Sequence, residues 1–315
     1  MAAALAGRTV AVDVPATTAN LGAGFDVLAM ALDLRNLVTV TAVEGRAEPV
    51  RIAVQGEGAG RLPGDRRNRF VRALEIGLRE LGIPQPGVAW QIEMDNQIPL
   101  SRGLGSSAAA TVAGLVAAKA LAGGERLTPQ RMLALATEME GHPDNAAAAL
   151  WGGFVVVVSV GGKPDAVRFD PPDRLSCVLF IPTRPMSTRA MRAALPATVP
   201  FSDAVHNVGA AAAAVAAMAS GRLELLARAT DDRLHEPYRA MIYGELPRMT
   251  AAAREAGALG ACLSGAGSTI IAFVDDERAA HDVEAAMVRE ASAAGLAGRV
   301  RTVRPRAAGA LIQES

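Results

Sequence analysis

Ile98-Pro-Leu-Ser-Arg-Gly-Leu-Gly-Ser-Ser-Ala-Ala109 is the stretch on which the reading of the chain turns. Gly103 and Gly105 allow the backbone to turn with positive φ and place no Cβ in the way of a ligand. Ser106 or Ser107 then stands where it can cap an Ala-rich helix running to about Leu121. A glycine loop feeding a helix start gathers free N–H groups at one spot, which suits phosphate. The helix dipole contributes only about 0.3–1 kcal/mol toward an anion, so loop N–H groups, serine hydroxyls and a metal ion must supply the rest. A Walker loop is excluded, because the only lysines are Lys119 and Lys163 and neither stands in that context. A dinucleotide fingerprint fits Gly103-x-Gly105-x-x-Ala108 by letter, but it needs a buried strand running straight into the first glycine. Asp95, Asn96, Gln97 and Pro99 intervene instead. It also needs an acid ending a second strand about twenty residues on, whereas Glu125 precedes another helix. On these residues alone, phosphate binding and a helix start with no ligand both stay open.

Outward from the loop, 315 residues suffice for two domains, each with its own core. Half the residues are hydrophobic and only 3% are aromatic, so Ala, Val, Leu and Ile must fill those cores. The formal charge balances to zero, which argues against a nucleic-acid partner. Cys177 and Cys262 stand far apart in apolar runs, as reduced core thiols of a cytosolic protein do. His142, His206, His235 and His281 show no metal-ligand spacing. Met1–Arg8 is too short for a secretory apolar segment. Phe154–Val160, the most hydrophobic run, falls far short of the roughly eighteen residues of a membrane span. A soluble, cytoplasmic protein without a membrane partner is expected.

Thr9–Val14 alternates like a strand and ends at Pro15, followed by a Thr-, Asn- and Gly-rich loop over Ala16–Asp26. Strands are expected at Leu37–Val43, Val50–Gln55 and Val88–Met94, and a helix at Asn68–Leu81. Thr128-Pro129 starts a helix to about Glu140, Gly141–Asn145 breaks it, and Ala146–Leu150 resumes it. Phe154–Val160 and Ala166–Phe169 form a hairpin around Gly161-Gly162. Asp170-Pro171-Pro172-Asp173 is the linker, dividing the chain into residues 1–170 and 171–315. Stripped of extra helices, the second half reads β-α-β-β-α-β, the split βαβ of ferredoxin-like domains.

Five stretches interrupt this pattern with polar residues and glycines: Pro15–Asp26, Pro99–Ala109, Glu140–Asn145, Ser187–Pro196 with Asp232–Arg239, and Gly260–Thr269. Pro15-Ala-Thr-Thr-Ala-Asn-Leu-Gly-Ala-Gly-Phe-Asp26, the glycine loop and Leu263-Ser-Gly-Ala-Gly-Ser-Thr269 resemble three motifs of one kinase family, of which the GHMP kinase superfamily shares the second and third. The first of these, with Glu140-Gly-His-Pro-Asp-Asn145 and Asp232-Arg-Leu-His-Glu-Pro-Tyr-Arg239, narrows the resemblance to the homoserine kinase family. It covers nearly the whole chain. It implies an α+β, two-domain GHMP kinase fold, with an N-terminal ATP-binding domain like ribosomal protein S5 domain 2 and a C-terminal ferredoxin-like domain.

The activity so implied is ATP-dependent phosphorylation of the L-homoserine hydroxyl to O-phospho-L-homoserine, with Mg²⁺, on the way to threonine. Such transfer needs alignment and charge neutralisation more than covalent help. By resemblance, ATP is held by Pro99, Leu100, Ser101, Arg102, Gly103, Leu104, Gly105, Ser106, Ser107, Ala108 and Ala109, together with Gly265 and Gly267. Mg²⁺ falls to Ser107 and Glu140, with Glu138 half a turn away. The acceptor is a zwitterion, and its carboxylate suits the planar fork of arginine. The family pattern points to Thr188 and Arg192, not the adjacent Arg189, and to Arg239. Asn20, Asp26, His142 and Asp144 are expected to meet the ammonium and hydroxyl groups. Asp144 with Asn145 takes the catalytic position, Asp144 orienting the hydroxyl more than deprotonating it. Homodimers are common in the family. Alternatives are a GHMP kinase for mevalonate or a sugar, and a non-catalytic ligand sensor of the same fold.

Overall fold

Pro15 does not end the first strand. In the computed structural model, which describes residues 5–44, 50–83 and 88–313, β1 runs from Thr9 to Ala19 and shifts register between Pro15 and Ala16. Proline has no N–H for the ladder, so the chain bulges there and continues. The first four residues of the N-terminal stretch read above lie outside the described residues.

The strand β2 (Leu28–Glu44) is far longer than the alternation at 37–43 indicated. Its first five residues, Leu28–Leu32, are buried throughout, between β1 and the later segments Asp144–Trp151 and Phe154–Val160, and so carry no polar face to alternate with. β3 (Val50–Gly56), α1 (Arg69–Glu80), β4 (Val88–Asn96), α2 (Ser106–Ala122), α3 (Pro129–Glu140), α4 (Asp144–Trp151), β5 (Phe154–Val160) and β6 (Lys163–Phe169) follow. The sheet order is β11 (Leu311–Gln313)-β1-β2-β4-β3, with β5 on the start of β2 and β6 on β5; among the described residues only β3 and β4 pair in parallel. Against it packs α2, whose Ala109, Val112, Ala113, Leu115 and Ala117 are buried in one cluster with Leu74 and Leu78 of α1. Burying each such Leu stabilises by about 1.5–3 kcal/mol. Trimming Leu74 to Ala should cost about 2–5 kcal/mol.

The second half comprises β7 (Ser176–Pro182), α5 (Thr188–Ala193), α6 (Phe201–Ser220), a 3₁₀ turn (Leu223–Leu225) leading into α7 (Leu226–Ala229), and α8 (Glu236–Ala240). α9 (Leu246–Glu255), β8 (Gly260–Leu263), β9 (Ile270–Val274), α10 (Glu277–Ala293) and β10 (Gly298–Val303) follow. The sheet is antiparallel in the order β10-β7-β9-β8, which is the split βαβ arrangement. Its strands obey the period of two. Cys177, Leu179 and Ile181 join the cluster shared with α6 and the first sheet, while Val178 and Phe180 face Met249, Val283 and Met287 of α9 and α10. Both cysteines are free and buried.

After β10 the chain returns to the first sheet. β11 (Leu311–Gln313) pairs with β1, and Asp13 receives Arg35 at 2.6 Å and Arg306 at 2.7 Å. A division at residue 170 therefore leaves the last ten described residues packed on the other half. Among the described residues no helix is long and apolar enough to cross a membrane.

Candidate active site

The glycine loop, the end of β1 and the turn between β8 and β9 close on one another. Thr17 N–H donates to the Leu104 carbonyl, Gly265 N–H to Ala19 and Thr269 N–H to Arg102. Gly103 and Gly105 have φ of 74° and 70°. A Cβ on Gly103 would lie 2.0 Å from the Ser264 carbonyl oxygen, and one on Gly105 1.9 Å from Thr17 Oγ1. The glycines are thus required by neighbouring protein as much as by any ligand. Gly105 itself is the N-cap of α2, in left-handed conformation and with no side-chain cap, so neither serine caps the helix as the sequence suggested. Ser106 and Ser107 occupy the first helical turn. The N–H groups of Gly105, Ser106, Ser107 and Ala108 have no acceptor among the described residues.

These donors line a cavity of about 170 Å³ that also takes in Asn20, Asp26, Ser101–Leu104, Glu140, His142, Asp144, Asn145, Thr188, Arg192, Arg239 and Gly265. Pro99 and Leu100 line other hollows, and Ala109 and Gly267 line none of these. The Gly267 N–H is taken by the Ser264 carbonyl. A second, mostly apolar cavity of about 250 Å³, walled by Val38, Leu62, Phe70, Met94 and Leu100 with Asn68 and Asn96, shares Ser101, Ser106 and Ser107 with the first. The serine turn is the junction of the two. Asn20, Asp26 and Ser101 take positive φ without being glycine, at 71°, 56° and 55°. Such backbone costs on the order of 1–3 kcal/mol each and persists only where surroundings enforce it.

At the far end of α3, Glu140 Oε1 accepts from Thr111 Oγ1 at 2.6 Å and Ser107 Oγ at 3.1 Å, and stands 3.3 Å from Arg69 Nε. Its side chain is 6% exposed, while that of Glu138 is 67% exposed and turned to Arg131. Clustered hydroxyl and carboxylate oxygens suit a hard divalent cation, and Mg²⁺ typically takes one or two carboxylates plus substrate phosphates. Ser107 and Glu140 fit that pattern. No cluster of three His, Cys, Asp or Glu with metal-holding geometry occurs among the described residues.

Asp144 begins α4 and is 2% exposed. Its Oδ1 accepts from His142 Nδ1 at 2.9 Å, Asn145 N at 2.7 Å and Asn145 Nδ2 at 3.2 Å. Thr17 Oγ1 donates to Asn145 Oδ1, so the Asn145 amide is held at both ends and steadies Asp144. The hydrogen bond to Asp144 raises the His142 pKa above its ordinary value, against the opposing effect of burial.

The opposite wall comes from the second half. Residues four apart on α5 bring Thr188 and Arg192 to the cavity, and Arg189 lies outside it. Arg192 is held by Asp26 through two bonds of 2.9 and 2.6 Å, which raise its pKa. Arg239, on α8, is 1% exposed and has no ion-pair partner among the described residues. It donates to the Gly265 carbonyl at 2.8 Å and His235 Nδ1 at 3.2 Å, and its buried Nε has no partner. Burial, then the neighbouring Arg192, lowers its pKa. Thr17, Phe25 and His235 stand inside the quoted motifs but carry no assigned role there, and Arg69 and Thr111 lie outside them. Their positions depend on contacts between segments far apart in the chain, for which a single sequence carries no signal.

The chain matches the models of the GHMP kinases N terminal domain over residues 68–153 and of the GHMP kinases C terminal domain over residues 214–294. It is 45% identical to a homoserine kinase of Moorella thermoacetica over 83% of this chain and 86% of that one. A homoserine kinase of Streptomyces coelicolor is 44% identical over 86% of each chain. The crystal structure of homoserine kinase from Cytophaga hutchinsonii superposes with a TM-score of 0.85 at 32% identity, covering 97% of both chains.

Proposed function

The chain belongs to the homoserine kinase family of GHMP kinases, and from that premise we propose how its cavity transfers the γ-phosphoryl group of ATP to the hydroxyl of L-homoserine. The triphosphate lies along the unpaired N–H groups of Gly105–Ala108 at the start of α2, where the helix dipole adds to them. The nucleoside extends through the shared serines into the apolar cavity beside Phe70 and Met94. Ser107 and Glu140 would hold Mg²⁺ beside the phosphates, where it would neutralise their charge. Arg192 and Arg239 take the acceptor's carboxylate, and Asp26 with Asn20 its ammonium group. Asp144, braced by His142 and Asn145, orients the hydroxyl toward the γ-phosphorus, and the proton leaves with the transferred phosphoryl oxygens.

The observation that carries this assignment is Arg239: a buried cation with no ion-pair partner among the described residues, lining the same cavity as the glycine loop. A buried charge is retained against a large desolvation cost only where something pairs with it. A neutral sugar offers nothing to it. The test is a coupled ADP-release assay with L-homoserine, L-serine, L-threonine, mevalonate and galactose, each with and without Mg²⁺. Mg²⁺-dependent turnover with kcat/KM far higher for L-homoserine than for any other acceptor is expected; equal turnover of galactose would overturn the acceptor assignment.

A further inference from the structure

Beneath the two cavity arginines lies a group that no role above uses. His235 is fully buried, and its Nε2 stands 2.7 Å from the Gly22 carbonyl oxygen. A carbonyl only accepts, so Nε2 carries the proton and Nδ1 is left as a bare acceptor. That acceptor meets Arg239 Nη1 at 3.2 Å. Burial pushes the imidazole below its usual pKa, which keeps Nδ1 bare.

The imidazole is fixed from both sides of the chain. Asp232 accepts from the backbone N–H groups of Leu234, His235 and Glu236 and from Asn207 Nδ2, which sets the start of α8. Asn207 Nδ2 reaches the Ala23 carbonyl, so α6 ties the same turn to the Asn20–Asp26 loop. From that loop, the Phe25 ring lies 5.2 Å from the His235 ring, 5.3 Å from the Arg239 guanidinium carbon and 5.4 Å from that of Arg192. One phenyl ring thus bears on both cations, which would otherwise repel one another into a wider and looser spacing.

We propose that His235 is a positioning residue for the acceptor's carboxylate: through Nδ1 it aims the Arg239 guanidinium, while Phe25 sets the separation of Arg239 from Arg192. The carboxylate then meets a preset pair of forks. This inference rests on the homoserine kinase reading and goes further in naming what makes the carboxylate site selective. Two free arginines in a chain so rich in arginine would accept many anions; a fixed pair accepts one carboxylate at one distance from the reacting hydroxyl.

The experiment compares L-homoserine with 3-aminopropan-1-ol, which is L-homoserine without its carboxylate, in wild type and three variants. His235→Gln keeps a donor for Gly22 and loses the acceptor for Arg239. His235→Asn places an amide oxygen near the former Nδ1. Phe25→Leu removes the ring from a half-buried position and serves if the histidine variants fold poorly. Expected for His235→Gln and Phe25→Leu is a roughly 100-fold rise in the homoserine KM, with kcat, the calorimetric Kd for ATP and kcat/KM for 3-aminopropan-1-ol nearly unchanged. His235→Asn should recover most of the loss. Equal losses for both acceptors, no loss, or an Asn variant no better than Gln would each overturn the proposal. Failure of the wild type to prefer homoserine would instead overturn the functional reading beneath it.

Discussion

Replacing Arg239 with Met should move stability and activity in opposite directions. In the free protein the Arg239 charge is 1% exposed and lacks an ion-pair partner among the described residues. The desolvation penalty of a buried ion is several kcal/mol. Removing it leaves His235 Nδ1 without a donor, a loss on the order of 1–3 kcal/mol. The Gly265 carbonyl still receives Asn20 Nδ2 at 3.0 Å. Relief of the charge exceeds the lost bonds, so the substrate-free variant should melt higher, by about 2 °C for each kcal/mol in a chain of this size. Met also fills much of the space vacated by the arginine stem, which limits any cavity.

Activity should fall steeply in the same variant. One oxygen of the acceptor's carboxylate would lose its guanidinium, costing about 2–5 kcal/mol in kcat/KM, or roughly 30- to 5,000-fold. Differential scanning calorimetry without homoserine, paired with ADP-release kinetics, measures both quantities on one preparation. A variant that melts lower and loses ATP affinity along with homoserine would refute the reasoning, since Arg239 would then be holding the fold together.

Asp144→Asn should raise the homoserine KM while leaving kcat within about tenfold, the pattern of lost orientation; a kcat collapse at unchanged KM would assign Asp144 as a base. Glu140→Gln should raise the Mg²⁺ concentration for half-maximal rate by roughly 10- to 100-fold, whereas Glu138→Gln, altering an exposed residue paired with Arg131, should leave it unchanged. His142 binds its proton more tightly in the folded chain than an ordinary histidine, because of Asp144. Its contribution is therefore complete below about pH 6.5, the unfolded value, and disappears as pH climbs through the raised folded value. Melting curves of wild type and His142→Gln should accordingly converge as pH rises, and divergence would show the sign to be wrong.

Much of the second half was legible because its inner strands are short apolar runs, such as Cys177–Ile181, and its longer helices show a period. Glu277–Ala293 has helical periodicity, a capping Asp276 and an observed helix with those bounds. The first half hid more. Leu28–Leu32 lacks alternation because both its faces are buried, and Pro15 looked like a terminus because a bulge cannot be read from one strand alone. The five-residue α8 and three-residue β11 are too short to show a period and are set by Asp232 and by pairing with β1. In the cavity, motif residues such as Arg192 and Arg239 were readable from the family pattern. The pairing of Arg192 with Asp26, 166 positions away, was not, because it depends on how the two halves meet.

That pairing bears on which acceptor the cavity admits. Asp26 and Arg192 are each about a third exposed, at 31% and 35%, so their mutual attraction is screened and modest. A zwitterion can part them at little cost, giving its ammonium to Asp26 and its carboxylate to Arg192 and to Arg239, which has no ion-pair partner among the described residues. Mevalonate brings a carboxylate but no cation, and would strip Asp26 of Arg192 with no replacement. Galactose brings neither charge and would leave Arg239 as it stood. The three acceptors should therefore rank homoserine, then mevalonate, then galactose in kcat/KM. Asp26→Asn should narrow the gap between the first two by weakening the hold on the ammonium group while sparing mevalonate. If the gap survives that change intact, selection of the zwitterion resides elsewhere than in the Asp26–Arg192 exchange.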